Sequence, residues 1–139
     1  HGGYQGVVRF MFEHSAGGKR RSKTLFYNHG TGGGGPVTRG AITSNRENAR
    51  VDGVDIMVRG HIHEAWQMET PMIALSPQHI VYHKNVMHIQ CPTYKDEIGN
   101  AARGWANEKN FPVKPLGGWW LKFTASHNNV VMSAERTIQ

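Results

Sequence analysis

Two histidines one residue apart, His61 and His63, are the side chains of this sequence whose spacing best suits chemistry. They follow a short β-branched run, Val54 to Val58, which the turn signals at 52–53 and at Gly60 bound. Such a run predicts a buried strand. If the backbone stays extended through the histidines, successive side chains alternate and both imidazoles project one way. Neutral imidazoles at the carboxyl end of a strand suit a metal site, because open α/β sheets place ligands at that end.

A second segment of the same design strengthens the metal interpretation, since a bare His-x-His pair is also typical of an exposed turn. Residues 23–27 predict a strand that runs directly into Asn28-His29-Gly30 and then into a glycine-rich loop at 31–35. Residues 41–51 predict a helix whose N-cap is residue 43, 44 or 45. We therefore expect a β-α-β crossover with a histidine at the end of each strand.

The pairing of strand–His29–Gly30 with strand–Gly60-His61-Ile62-His63 resembles the last two signature motifs of the calcineurin-like metallophosphoesterases. The likeness is greatest to the small bacteriophage and bacterial members, in which a Gly-rich loop follows the first histidine. The resemblance implies a site for two divalent metal ions, Mn, Fe, Zn or Ni. His29 and His61 would ligate one metal ion and His63 the other. The implied substrate is a phosphomonoester or phosphodiester, which includes nucleic acid.

The upstream motifs of that family are missing from this chain. Complete members carry Asp-x-His, Gly-Asp-x-x-Asp and Gly-Asn-His-Asp/Glu motifs, and the three aspartates present, Asp52, Asp55 and Asp96, lie in none of those contexts. Because the chain also begins at His1, we expect a fragment, a processed product or a split subunit. Residues 1–139 would form a single, partial domain, the C-terminal half, which needs its N-terminal half or another chain as partner. Alone it should be inactive.

Composition sets broad limits on what the chain does. A length of 139 residues allows one domain or part of one. The formal charge of +6 favours polyanionic partners such as nucleic acid. The single Cys91 excludes an internal disulfide and fits a reducing compartment, so we expect the cytoplasm of a bacterium or phage-infected cell. No stretch approaches the roughly 20 apolar residues that span a bilayer, so no membrane partner is expected.

Several other residues invite functional interpretations. Arg39 follows the Gly-rich loop and could hold a phosphoryl oxygen bidentately, although a surface arginine is an equal alternative. His79, His83 and His88 lack the glycine-punctuated setting of His61 and are interpreted as strand-surface or edge residues. A non-catalytic basic module that binds nucleic acid or an assembly partner is the alternative function.

The remaining pattern predicts an α/β fold: the β-rich half of a metallophosphoesterase-type layered sandwich, with a mixed sheet and one crossover helix. Residues 6–13 should pair with 23–27 as a hairpin, and Lys84-Asn85 resembles a two-residue turn. Irregular or helical structure is expected at 96–110, where Trp105 and Phe111 would pack. The last two strands should lie near Leu116–Phe123 and Val130–Met132, with Trp119 and Trp120 on opposite faces.

Overall fold

The computed structural model describes residues 2–13, 20–33, 35–96, 108–110, 112–125 and 129–137. Trp105 and Phe111 lie outside these ranges, as does most of the segment 96–110. Seven strands and one helix account for most of the described chain. In chain order they are β1 (Gln5–Glu13), β2 (Arg20–Asn28), α1 (Ala41–Asn48), β3 (Ile56–Arg59), β4 (Trp66–Leu75), β5 (Val81–Gln90), β6 (Gly118–Ala125) and β7 (Val130–Thr137).

Five of the strands form one mixed sheet in the order β1-β2-β3-β5-β4. β1 and β2 pair antiparallel as the predicted hairpin, and β2, β3 and β5 run parallel to one another. α1 connects β2 to β3, so the predicted β-α-β crossover and the mixed α/β sheet are confirmed. β6 and β7 form a separate antiparallel pair. The more specific metallophosphoesterase layering stays a prediction.

The core lies on both faces of the short central strand β3. Ile56 is fully buried and clusters with Leu25 and Ile89, against which side chains of β6 and β7 pack, including Trp119. Met57 is also fully buried and faces the other side of the sheet. His88, its neighbour in β5, forms a hydrogen bond with Ser44 of α1. The described elements therefore form three layers, with β6–β7 on one face of the sheet and α1 on the other.

The turn predicted at Lys84-Asn85 is wrong. β5 runs unbroken through both residues and pairs along its length with β4, to which residues 76–80 connect it. Each turn-type residue has a partner within the sheet: the Lys84 Nζ lies 3.9 Å from the Asp55 Oδ1, and the Asn85 amide donates to the Glu69 Oε2 at 2.9 Å. These side-chain contacts offset the local turn preference.

The helix is shorter than predicted, and its N-cap lies elsewhere. α1 ends at Asn48, and the residue that caps its start is Gly40, which adopts a left-handed φ of 83° and makes no side-chain capping bond. Glycine suits this position because the left-handed φ strains any residue that has a Cβ, and a Cβ here would also meet the Cδ1 of Ile62. Ser44, one of the predicted caps, lies inside the helix and is buried instead. None of the described helices has the length and apolar character needed to cross a bilayer.

Candidate metal centre

Parallel pairing of β2 and β3 brings the ends of the two histidine-bearing strands to one edge of the sheet. Asn28 and Arg59, the last residues of the two strands, lie opposite each other in the ladder. Beyond them, the His29 Nε2 and the His61 Nδ1 are 3.2 Å apart, with ring centroids separated by 5.2 Å at an interplanar angle of 71°. The predicted convergence of these two rings is confirmed, and their role as metal ligands stays a prediction.

Two glycines allow the backbones behind these rings to approach each other. Gly30 has a φ of 89°, and a Cβ there would lie 3.2 Å from the Gly60 carbonyl oxygen and 3.3 Å from the His61 Cβ. A Cβ at Gly60 would in turn lie 3.3 Å from the His29 carbonyl oxygen. Both positions therefore lack a side chain where the two loops meet, which keeps the imidazoles within contact.

The backbone from His61 to His63 is not extended as predicted. His61 and His63 both have left-handed φ values, 69° and 56°, so the backbone turns instead of staying extended, and the predicted alternation is wrong. The Ile62 N–H donates to the Gly60 carbonyl at 2.9 Å, which closes this turn. The pairing of β3 with β5 ends at Arg59, just before this turn.

His63 nevertheless lies within the electrostatic influence of the other two histidines. Although the residue is exposed, partial desolvation of its ring lowers the pKa of His63, and the charges of His61, Lys114, His29 and Lys95 lower it further. Burial disfavours the charged form of the ring, and the neighbouring positive charges disfavour a further one. The neutral imidazole, the form that binds metal, is therefore favoured.

Arg39 lies near this edge with a backbone that is fixed at two points. Its φ is 45°, its N–H donates to Gly35 at 2.9 Å, and its carbonyl accepts a hydrogen bond from the Trp66 indole at 2.9 Å. The side chain is exposed to solvent. None of these contacts tests whether Arg39 binds a phosphoryl oxygen, so that role stays a prediction.

Buried polar residues that sequence reasoning missed connect the two strand ends to the helix. The Asn28 Nδ2 donates to the Glu47 Oε1 at 2.7 Å, and the Glu47 Oε2 lies 2.9 Å from the Arg59 Nε. The Gln90 amide donates to the carbonyls of Arg59 and Gly60 at 3.1 and 2.7 Å. The available signal was a polar side chain that follows a short apolar run and directly precedes each histidine–glycine element.

The three histidines of the 79–88 segment lie away from this pair. His83 is exposed on β5 as predicted, whereas His79 is exposed in the turn before β5 and has a φ of 61°. The prediction for His88 is wrong: it is fully buried, and its Nδ1 shares a 2.8 Å hydrogen bond with the Ser44 Oγ. Burial lowers the pKa of His88. The helix supplies a polar partner that a strand pattern alone does not reveal.

The distance between the two ring nitrogens, which share a hydrogen bond, is also compatible with two ligands of one metal ion. Zinc binds imidazole nitrogen at about 2.0–2.1 Å, so tetrahedral coordination places two such nitrogens about 3.3 Å apart. The observed 3.2 Å between the His29 and His61 nitrogens agrees with that separation. Among the residues that the structure describes, however, no group of three or more His, Cys, Asp or Glu side chains is placed to hold a metal ion. The described chain thus supplies a two-nitrogen arrangement.

The carboxylates of Asp55 and Asp52 are engaged in other contacts. The Asp55 carboxylate accepts a hydrogen bond from the Thr24 N–H at 2.8 Å and lies 3.6 Å from the Lys23 ammonium, so it stabilises the sheet. Asp52 accepts a hydrogen bond from the adjacent Gly53 N–H in an exposed turn.

Comparison of the chain with protein-family models, with curated proteins and with solved structures found no match.

Proposed function

We propose that this chain is the C-terminal part of a calcineurin-like metallophosphoesterase that hydrolyses phosphomonoesters or phosphodiesters, with nucleic acid among its substrates. The observation that supports the proposal most is the 3.2 Å approach of the His29 and His61 imidazoles at the ends of two neighbouring parallel strands. That strand-end position is where open α/β sheets bind ligands. Family resemblance supplies the reaction class.

In this proposal the histidines anchor divalent metal ions, drawn from Mn, Fe, Zn and Ni. His29 and His61 hold the first ion through Nε2 and Nδ1, and His63 contributes to the second. Such a metal pair, when bound, clamps a phosphoryl group and stabilises its developing charge. The histidines themselves bind and orient; they are not nucleophiles.

Positive charge around the histidines would attract an anionic phosphoester. Lys114 and Lys95 lie close enough to His63 to lower its pKa, and the Lys114 Nζ is held at 2.6 Å by the Glu64 carboxylate. Arg39 lies nearer the Gly-rich loop and is the proposed bidentate contact to a phosphoryl oxygen. The chain as a whole carries a formal charge of +6, which draws polyanions by the same long-range attraction.

The aspartate-bearing motifs expected of a complete site would come from an N-terminal half or a second chain. This chain alone, assayed with Mn²⁺ on bis-p-nitrophenyl phosphate, is therefore expected to show little or no turnover. Robust turnover by the isolated chain would contradict the requirement for those residues. We also propose that the protein acts in the cytoplasm of a bacterium or phage-infected cell.

Metal titration is the direct test. Isothermal titration with Zn²⁺, Mn²⁺ or Co²⁺ should show binding by the unaltered chain and its loss in His61→Ala. His83→Ala is the matched control, because His83 is an exposed histidine of β5 outside the pair. If the chain binds none of these ions, with or without the missing half supplied, the phosphoesterase proposal is wrong.

A non-catalytic basic module is the second candidate, and two observations favour it. The described residues lack a third metal ligand at the imidazole pair. The far half of the β4–β5 hairpin also exposes apolar side chains that an assembly partner could cover: Ile73, Leu75, Ile80, Val81 and Tyr82. For this candidate, fluorescence anisotropy should detect salt-sensitive nucleic-acid binding that neither a chelator nor His61→Ala alters.

A further inference from the structure

A polar triad of Asn28, Glu47 and Arg59 joins the helix to both strands that carry the imidazole pair. Glu47 and Arg59 are buried, with 7% and 5% of their surface exposed, and Asn28 is half-buried. One Glu47 oxygen accepts from the Asn28 amide at 2.7 Å, and the other lies 2.9 Å from the Arg59 Nε. A single carboxylate therefore bridges the residue before His29 and the residue two before His61.

The carboxylate also decides how the Asn28 side chain is oriented. An amide presents either its oxygen or its nitrogen to a neighbour, whereas a carboxylate only accepts hydrogen bonds. With its Nδ2 directed to Glu47, Asn28 must turn its Oδ1 the other way, where it accepts the Gly30 N–H. That bond shapes the turn immediately after His29, at the glycine that approaches the His61 loop.

The Arg59 half of the triad acts on the other loop. The Arg59 side chain forms an ion pair with Glu47 that is not aligned as a hydrogen bond. The Arg59 carbonyl accepts hydrogen bonds from the Cys91 N–H at 2.7 Å and from the Gln90 amide at 3.1 Å. Arg59 is thus fixed through both side chain and backbone. Gly60 and His61 follow it directly, so their starting direction is fixed as well.

We propose that Glu47 is a positioning residue that sets the separation of the His29 and His61 nitrogens by orienting Asn28 and Arg59 together. Glu47 contacts neither imidazole, and it acts only through the two strand ends. The part of the inference that concerns metal affinity rests on the proposed function. The part that concerns the geometry of the imidazole pair does not.

The central experiment replaces Glu47 with glutamine, which keeps size and shape but adds a donor. The Glu47→Gln side chain can turn its NH₂ toward Asn28, so the Asn28 amide loses its imposed orientation and the ion pair with Arg59 is lost. Co²⁺ affinity should fall at least about tenfold, the scale on which groups that orient metal ligands act. The ¹⁵N shifts of the His29 and His61 rings in the metal-free chain should move as well.

Ser44→Ala is the matched control on the same helix. Ser44 is buried and bonds across to His88 on β5, so its loss also removes a buried helix-to-sheet hydrogen bond. Within the described chain, Ser44 makes no hydrogen bond to either strand end that carries the imidazole pair. Ser44→Ala should lower the melting temperature and leave both the Co²⁺ affinity and the ring shifts of His29 and His61 unchanged.

A second variant covers failure of Glu47→Gln to fold. Replacing Glu47 and Arg59 together with methionine removes both buried charges, a kind of exchange that proteins often tolerate. That double variant should fold, and it should lose Co²⁺ affinity as Glu47→Gln does. If the folded variants keep both the affinity and the ring shifts of the unaltered chain, the positioning role is refuted. If the unaltered chain binds no Co²⁺, the proposed function fails, and the ring shifts alone decide the role of Glu47.

Discussion

The close approach of the two histidine loops can be tested by adding one methyl group at Gly30. Gly30 adopts a φ of 89°, and a Cβ added there would lie 3.2 Å from the Gly60 carbonyl oxygen and 3.3 Å from the His61 Cβ. Gly30→Ala therefore imposes two costs: a left-handed backbone on an alanine, and tight contacts that the His61 loop must relieve by shifting a few tenths of an ångström. We expect the variant to lose stability and to push the His29 and His61 rings apart.

Gly32→Ala separates these two costs, because Gly32 has a similar φ of 85° with nothing within 4 Å of the added Cβ. A left-handed alanine costs about 1–2 kcal/mol. Reduced freedom of the unfolded chain offsets about 0.4–1 kcal/mol of that. Gly32→Ala should thus lower the free energy of unfolding by about 1 kcal/mol. Overpacking should add about 1–3 kcal/mol for Gly30→Ala alone.

Urea unfolding followed by tryptophan fluorescence measures both free energies, and Co²⁺ titration measures the consequence for the imidazole pair. Gly30→Ala should be the less stable variant and should bind Co²⁺ more weakly, whereas Gly32→Ala should keep the affinity of the unaltered chain. Equal losses of stability in the two variants, with equal Co²⁺ affinity, would refute the idea that residue 30 is glycine because the two loops touch.

Two further predictions concern the core. Burial lowers the pKa of His88 below its ordinary 6.5, so as the pH falls the unfolded chain takes up a proton before the folded chain does. The stability associated with neutral His88 is therefore complete above pH 6.5 and is lost as the pH falls below that value. Urea unfolding at pH 7.5 and 5.5 should therefore show a larger acid loss in the unaltered chain than in His88→Gln, and equal losses would contradict the assignment. Trp119 packs on the core and donates to the Gln90 carbonyl at 3.0 Å, whereas Trp120 is 68% exposed. Trp119→Phe should lower the free energy of unfolding by about 1–3 kcal/mol and Trp120→Phe by less than about 0.5 kcal/mol. Equal losses in the two variants would contradict the conclusion that Trp119 is in the core and Trp120 on the surface.

The sequence predicted the parts of the fold that depend on local signals. The β-branched run before Gly60 marked β3, and residues 23–27, which lead into Asn28-His29-Gly30, marked β2. The helix-length segment between them required a crossover, which makes the strands parallel. Parallel strands place their carboxyl ends at one edge, so the meeting of His29 and His61 followed from topology alone. The resemblance to phosphoesterases was not needed for that step.

The errors arose where a distant side chain outweighed a local preference. Lys84 and Asn85 have turn-forming character, yet Asp55 and Glu69 bind them from neighbouring parts of the sheet. His88 has the polarity of a surface residue, yet Ser44, 44 positions earlier, gives it a partner in the core. A pattern of neighbouring residues contains no information about such partners, because the tertiary fold creates them.

Local sequence patterns also did not reveal the contacts of the Glu47 carboxylate. Those contacts suggest why a carboxylate lies at residue 47. A buried ion pair is weak evidence for stability, because desolvation of two charges can exceed their attraction, and apolar residues often replace such pairs without loss. Stability alone therefore gives little reason for Glu47 and Arg59 to lie buried between α1 and β3. What an apolar pair could not do is fix the orientation of the Asn28 amide, whose oxygen holds the turn after His29. The amide must direct its nitrogen to residue 47 so that its oxygen accepts the Gly30 N–H. That requirement is the physical reason to expect a carboxylate, which only accepts hydrogen bonds, at residue 47.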